Sequence, residues 1–172
     1  MKQTKLGNTN LSVSRIALGC WGFAGGSMWG DQDESDSIAT VQAALESGIN
    51  FFENAHGYGN GYAEEVLGKA LVGRRHQAVV ATKINVTDNA EIDVAANCEL
   101  SLRRMQTDYI DLLQLHWPNH QIPPEEVLQA FTKLREAGKI RAFGVSNYGL
   151  GDLTDILQYG DIASDQLPYN LL

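Results

Sequence analysis

Cysteine is scarce in this 172-residue chain, which has only Cys20 and Cys98. Two are too few for a disulfide framework, so a reducing, cytoplasmic setting is expected. Long apolar runs are missing as well. No stretch approaches the ~20 apolar residues of a membrane span, and no membrane partner is expected. Residues 1–20 hold Lys2, Lys5 and Arg15 but no sustained apolar segment, so no signal peptide is expected either. Positive charge is in deficit: 13 Lys and Arg face 21 Asp and Glu, giving a formal net charge of −8. With a pI near 4.9, the chain offers no basic face for nucleic-acid phosphates. No linker, charge block or low-complexity tract interrupts it, so residues 1–172 read as one domain. A composition of 44% hydrophobic and 20% charged residues excludes disorder and collagen-like order.

Several chemical motifs are absent too. Gly57-Tyr58-Gly59-Asn60-Gly61 lies between a strand and a helix and resembles a dinucleotide loop. Its third glycine falls one place early, however, and Tyr62 stands where G-x-G-x-x-G needs glycine for close pyrophosphate approach. No G-x-x-x-x-G-K-[ST] occurs. The four histidines are His56, His76, His116 and His120. His116 and His120 are four apart, but Pro118 and Asn119 between them prevent a helical zinc face, so no metal is expected. No G-x-S-x-G elbow exists, and Ser146 by itself reads as a turn or helix cap.

What is present is alternation. Apolar runs of strand character, such as Ile49–Glu53, Ala78–Ile84, Tyr109–Trp117, Ile140–Ser146 and Ile162–Gln166, alternate with helical periodicity at Ser37–Gly48, Ala63–Val72, Val94–Met105, Glu125–Ala137 and Leu150–Gln158. With Arg15–Gly19 the count is six strands, the pattern of βαβ units around a parallel sheet. Before them, Thr4–Leu6 and Leu11–Val13 flank a Gly7-Asn8 turn and read as a hairpin. Length alone favours a doubly wound sheet, since an eight-unit (β/α)₈ barrel usually takes roughly 250 residues.

Polar residues recur at the carboxyl ends of these strands: Glu53, Lys83, His116, Ser146 with Asn147, and Gln166. In a parallel sheet such ends share one edge, where α/β folds bind ligands. A lysine in an apolar strand needs an anionic or phenolic partner. Tyr58, five residues past Glu53, is a candidate. A lysine ammonium beside a tyrosine hydroxyl is expected to lower its pKa and make it a general acid for a forming alkoxide. A neutral histidine then hydrogen-bonds the carbonyl oxygen, and Asn and Gln amides suit a carboxamide ligand.

The segments KLGNTNLSVSRIALGCW, INFFENAHGYGNGYAEEVLGKAL, VVATK, DYIDLLQLHWP, LREAGKIRAFGVSN and QLPYN, in this order, resemble the aldo-keto reductases over essentially the whole chain. Trp29-Gly30-Asp31 with Ser35 is similar to the branch of bacterial general-stress reductases and potassium-channel β subunits. The resemblance implies a (β/α)₈ barrel with an N-terminal hairpin, here a partial barrel of about six βα units. It implies NADPH-dependent reduction of small aldehydes and ketones, with NADP(H) as cofactor. Carried over by position, Tyr58 is the general acid, Lys83 lowers its pKa, and His116 polarises the carbonyl. Ser146, Asn147 and Gln166 meet the nicotinamide carboxamide, Cys20 and Trp21 lie near the reactive ring, and Trp29 and Trp117 wall the substrate pocket, although Trp117 equally suits the core.

Two departures from the family pattern stand out. Glu53-Asn54-Ala55 replaces the usual Asp-Thr-Ala. The added methylene is a tolerated exchange or one that displaces Lys83 from Tyr58. The chain also stops after its sixth strand, before the family's phosphate-gripping units. Open first and sixth strands invite self-association or a complementing fragment. The alternative to a reductase is a weakly active or non-catalytic protein that binds cofactor or a partner, or that self-assembles.

Overall fold

The computed structural model describes residues 1–171. A two-stranded antiparallel hairpin opens the chain, β1 (Gln3–Lys5) and β2 (Ser12–Ser14). Each strand lies within a residue or two of the expected position. Six parallel strands follow: β3 (Ala17–Gly19), β4 (Phe51–Glu53), β5 (Val79–Ile84), β6 (Ile110–Leu115), β7 (Ile140–Ser146) and β8 (Asp165–Gln166). Their spatial order is their chain order, β3-β4-β5-β6-β7-β8. A doubly wound sheet reverses direction at a switch point, and this sheet does not. The fold is the curled partial barrel that the family resemblance implies, not the doubly wound sheet that length alone favours. Beyond the sheet, no helix among the described residues is long and apolar enough to cross a membrane.

The helices cover the outer face. They are a four-residue α1 (Gly26–Trp29), α2 (Glu34–Glu46), α3 (Tyr62–Ala70), α4 (Ala90–Met105), α5 (Pro124–Glu136) and α6 (Leu150–Leu157). Local chemistry sets their ends. The Asp33 carboxylate accepts from the amides of Ser35 and Asp36 to start α2, and Asn89 does the same for Ile92 in α4. Pro124 occupies the first turn of α5, where no amide donor is missed. The turn formed by Trp21–Ala24 and the short α1 have no periodic signal in the sequence. Three glycines with positive φ (Gly25, Gly26 and Gly30) shape that loop instead.

Every residue of β5 and β6 is buried, as expected for strands covered on both faces. Outward side chains such as Val80, Leu113 and Phe143 pack under helix residues Val66, Leu67, Cys98, Leu102, Phe131 and Leu134. Inward, Ala81, Leu112 and Ala142 form a small cluster closed by Phe51, Ala163 and two residues beside the hairpin strands, Leu6 and Leu11. The hairpin thus plugs the amino end of the sheet and leaves the carboxyl end uncovered by it. At Gly68 a Cβ would stand 2.7 Å from the Met105 backbone, so glycine is what lets α3 and α4 cross closely.

Candidate active site

Backbone ladders continue past the strand ends and set the site residues side by side. The Cys20 amide donates to the Glu53 carbonyl at 2.8 Å, His56 to Lys83 at 2.9 Å, His116 to Ile84 at 2.9 Å, and Asn147 to Gln166 at 3.1 Å. The polar residues flagged at successive strand ends therefore do share one edge. Trp21, Tyr58, Lys83, His116, Ser146, Asn147 and Gln166, with Leu167 and Pro168, line a cleft of about 370 Å³ there.

At its floor, Lys83 is 2% exposed. Its ammonium has three hydrogens and spends all of them: on Glu53 Oε1, on the Asn54 carbonyl at 2.8 Å, and on Tyr58 Oη at 3.1 Å. Glu53 has not displaced the lysine from the tyrosine. Burial holds the Lys83 pKa below the usual lysine value, against the raising influence of Glu53. The Tyr58 hydroxyl in turn donates to Glu53 Oε1 at 3.3 Å. Gln166 Nε2 donates to the same oxygen at 3.3 Å, and Gln114 Nε2 donates to Gln166 Oε1 at 3.2 Å. Ser164 Oγ completes the chain on Gln114 at 3.0 Å.

One sequence-derived expectation reverses. Burial first, then the charge and acceptance of Glu53, push the Tyr58 hydroxyl above the ordinary tyrosine value rather than below it. Burial and then the Lys83 charge hold the His116 pKa below the usual histidine value. The imidazole meets Tyr58 edge-on with centroids 6.2 Å apart, while Trp21 stacks on Tyr58 at 5.6 Å.

The remaining predicted residues divide. Trp29 packs edge-on against Trp21 at 5.7 Å and is half exposed, beside the cleft rather than in its lining. Trp117 lies beyond the end of β6, stacks on His116 at 5.9 Å and is 56% exposed, which removes the reading of it as core. Cys20 is corrected. Its side chain is fully buried in the core, with Sγ against the Leu18 carbonyl, and burial pushes its thiol pKa up. It sits under the site and does not line the cleft. Ser146 Oγ donates to the Gln166 carbonyl at 3.1 Å. Asn147, in a left-handed conformation at φ 62°, gives its amide hydrogens to the His116 carbonyl and Ser146 Oγ.

A buried support under the Tyr58 loop escaped the sequence reading. Glu64 in α3 is fully buried, accepts from Thr82 Oγ1 at 2.7 Å and pairs with Arg104 at 3.2 Å. Arg104 also donates to the carbonyls of His56 and Asn60, which flank Tyr58. Its sequence signal was a glutamate three residues before Leu67 on the buried face of α3.

The fold and cleft together define a parallel β/α barrel, here in part, with Lys83, Glu53, Tyr58 and His116 gathered at the carboxyl edge of its strands. A sequence model of the Aldo/keto reductase family matches residues 15–172. The chain belongs to that family. It is 42% identical over 181 residues to Aldo-keto reductase YhdN of Bacillus subtilis, covering 99% of this chain and 54% of that protein. It is 33% identical to the NADH-specific methylglyoxal reductase of Escherichia coli, covering 100% of this chain and 60% of that one. A crystal structure of an aldo-keto reductase from Klebsiella pneumoniae in complex with NADPH superposes with a TM-score of 0.88 at 33% identity. The match covers 98% of this chain and 58% of that chain. The chain spans about half the length of the curated relatives it matches.

Proposed function

We propose that this chain carries the proton-transfer half of a carbonyl reductase site, acting on small aldehydes and ketones. The observation that supports it best is the buried Lys83 ammonium 3.1 Å from the Tyr58 hydroxyl, with the His116 ring edge-on to that tyrosine. Tyr58 Oη gives its proton to the substrate oxygen as that oxygen gains charge. His116 hydrogen-bonds the same oxygen and orients it. Lys83 holds Tyr58 in place, and Glu53 keeps the lysine charged. Trp21, Trp29 and Trp117 supply the aromatic wall against which an apolar substrate body packs.

The cleft fits the ring end of a nicotinamide cofactor. Asn147 and Gln166 place carboxamides at its rim, and Ser146 adds a hydroxyl beside them. When bound, that cofactor supplies the hydride. Among the described residues lining the cleft, Lys83 is the one cationic side chain, and its hydrogens are committed within the site. NADP(H) is preferred here over NAD(H) on the family resemblance, with the NADPH-bound neighbour in support and the NADH-specific relative against.

In this reading residues 1–172 are one partial-barrel domain acting in the cytoplasm. β3 and β8, each paired on one side only among the described residues, take up further barrel structure from the same polypeptide, a second copy or another fragment. Two measurements test the core of the proposal: NADPH fluorescence titration, and turnover of a simple aldehyde by the Tyr58→Phe variant. Loss of a general acid costs about 10²–10⁴-fold in turnover with cofactor affinity kept. Unchanged turnover in that variant overturns the role of Tyr58, and cofactor binding without Tyr58-dependent turnover supports a non-catalytic, cofactor-binding protein instead.

A further inference from the structure

A second cavity, of about 580 Å³, opens at the amino edge of the sheet. Its walls are the hairpin turn at Asn8 and Asn10, the end of α5 at Arg135, the start of β7 at Arg141, and the loop before β8 at Asp161. Arg141 stands near one end of β7, and Ser146, in the cleft, at the other. The strand rise between them puts roughly 16 Å between the two sites.

Two guanidinium groups line this cavity, in a chain whose net charge is −8. Arg135 makes no ion pair among the described residues. Its Cζ lies 5.4 Å over the Phe143 ring, which steadies the group without neutralising it. Arg141 gives Nη1 to Asp111 Oδ1 at 2.7 Å, while Arg75 gives Nη2 to Oδ2 of the same carboxylate at 2.7 Å. One buried negative charge is thus shared by two guanidinium groups, and a positive charge remains. Both groups also lie 4.1 Å over the Tyr109 ring, which fixes their placement. Nε and Nη2 of Arg141 keep their hydrogens for another acceptor. Asp161 lines the cavity too, but no ion pair joins it to either arginine among the described residues.

The hairpin turn adds neutral donors. Thr9 is occupied with the turn itself: its Oγ1 donates to the Leu6 carbonyl at 2.6 Å and accepts from the Leu11 amide at 3.1 Å. Gly7, at φ 51°, seats the turn against Ala163, whose carbonyl oxygen a Cβ would strike. The Asn8 and Asn10 carboxamides have no partner among the described residues and line the cavity.

We propose that this cavity binds a phosphomonoester of a small, hydroxyl-bearing molecule. Guanidinium forks match phosphate oxygens two at a time. The asparagine carboxamides serve the further oxygen that a tetrahedral phosphate has and a planar carboxylate lacks. Asp161 accepts from a hydroxyl of the ligand body. The volume lies in the ~300–1,000 Å³ range of small-molecule sites. None of these residues belongs to the cleft that holds Tyr58 and Lys83.

Heteronuclear NMR of the nitrogen-15-labelled chain tests this at constant ionic strength, with inorganic phosphate, glucose 6-phosphate, glucose and sodium acetate as probes. The Nε–H signals of Arg135 and Arg141 are assigned by their loss in Arg135→Gln and Arg141→Lys. Both signals should shift saturably, with glucose 6-phosphate binding more tightly than inorganic phosphate, and with glucose and acetate leaving them in place. Arg135→Gln should weaken phosphate binding about tenfold or more, through loss of charge-assisted bonds. It breaks no ion pair among the described residues, so the fold should survive, and circular dichroism checks that it does. Arg141→Lys keeps the charge but not the fork, and should weaken binding less. Shifts that never saturate, or that appear at Tyr58 and His116 instead, overturn the proposal, as does unchanged affinity in Arg135→Gln. Acetate binding as tight as that of phosphate overturns the choice of phosphate. Equal affinity for the two phosphates overturns the role of Asp161.

Discussion

Replacing Arg104 by methionine should unlatch the loop that carries Tyr58, and the size of the effect follows from what the guanidinium touches. It bonds Glu64 Oε2 at 3.2 Å, the Asn60 carbonyl at 2.7 Å and the His56 carbonyl at 3.3 Å. Glu64 has no solvent exposure, and without Arg104 its remaining side-chain partner is Thr82 Oγ1 at 2.7 Å. Breaking a buried pair from one side costs ~3–5 kcal/mol. Arg104 keeps 17% side-chain exposure, so the lower end, about 3 kcal/mol, is expected. The Asn60 carbonyl rehydrates easily, so the two backbone contacts add less than ~1 kcal/mol. Glu64→Gln should cost less, because it leaves the guanidinium able to reach water. In the double variant both charges are gone and its loss should fall short of the sum by about 2 kcal/mol. Equilibrium urea unfolding of the four chains measures this, and hydrogen exchange at residues 57–61 reports the loop. Additivity within ~0.5 kcal/mol would refute the claim that this ion pair anchors the Tyr58 loop.

Further expectations are independent of that one. Gly68→Ala should destabilise despite the better helix propensity of alanine, by about 1–3 kcal/mol, because the new Cβ meets the Met105 backbone; thermal melting checks it. His56 and His116 are both held below the usual histidine value by burial. Each is therefore neutral in the fold, contributes stability above the unfolded histidine pKa, and loses it as pH falls toward the folded value. Replacing both with asparagine should flatten the fall in stability just below pH ~6.5, and an unchanged slope by urea titration would count against it. The Cys20 thiol, buried and pushed up in pKa, should resist iodoacetamide in the folded chain and react once urea unfolds it; rapid native labelling of Cys20 would contradict its placement.

Much of the fold was legible in the sequence because its signals are periodic and local. β-branched runs such as Val79–Ile84 and the 3.6-residue spacing of Val127, Phe131 and Leu134 marked their own elements. The strand-end polar residues were legible for a simple topological reason: parallel strands bring their carboxyl ends to one edge. The loop at residues 20–30 was not, since its path depends on positive-φ glycines rather than on apolar period. Nor were the pairings of Glu64 with Arg104 and of Asp111 with Arg75 and Arg141. Those partners lie 30 to 40 residues apart, where no local rule connects them.

By itself the sequence determined the α/β class, the number of strands, the family resemblance, and the polar residues that end the strands. These depend on composition, period and motif, which are properties of the chain taken linearly. The resemblance implied a partial barrel, but composition and period alone left the winding of the sheet open, because strand order is a matter of three-dimensional neighbours. The tertiary structure decided that winding, and also that Cys20 lies under the site and that Trp117 stands in solvent. It likewise placed the Glu53 carboxylate on Lys83 and Gln166. The extra methylene of Glu53 is visible in the sequence, but its direction is set only when strands β4, β5 and β8 pack around it.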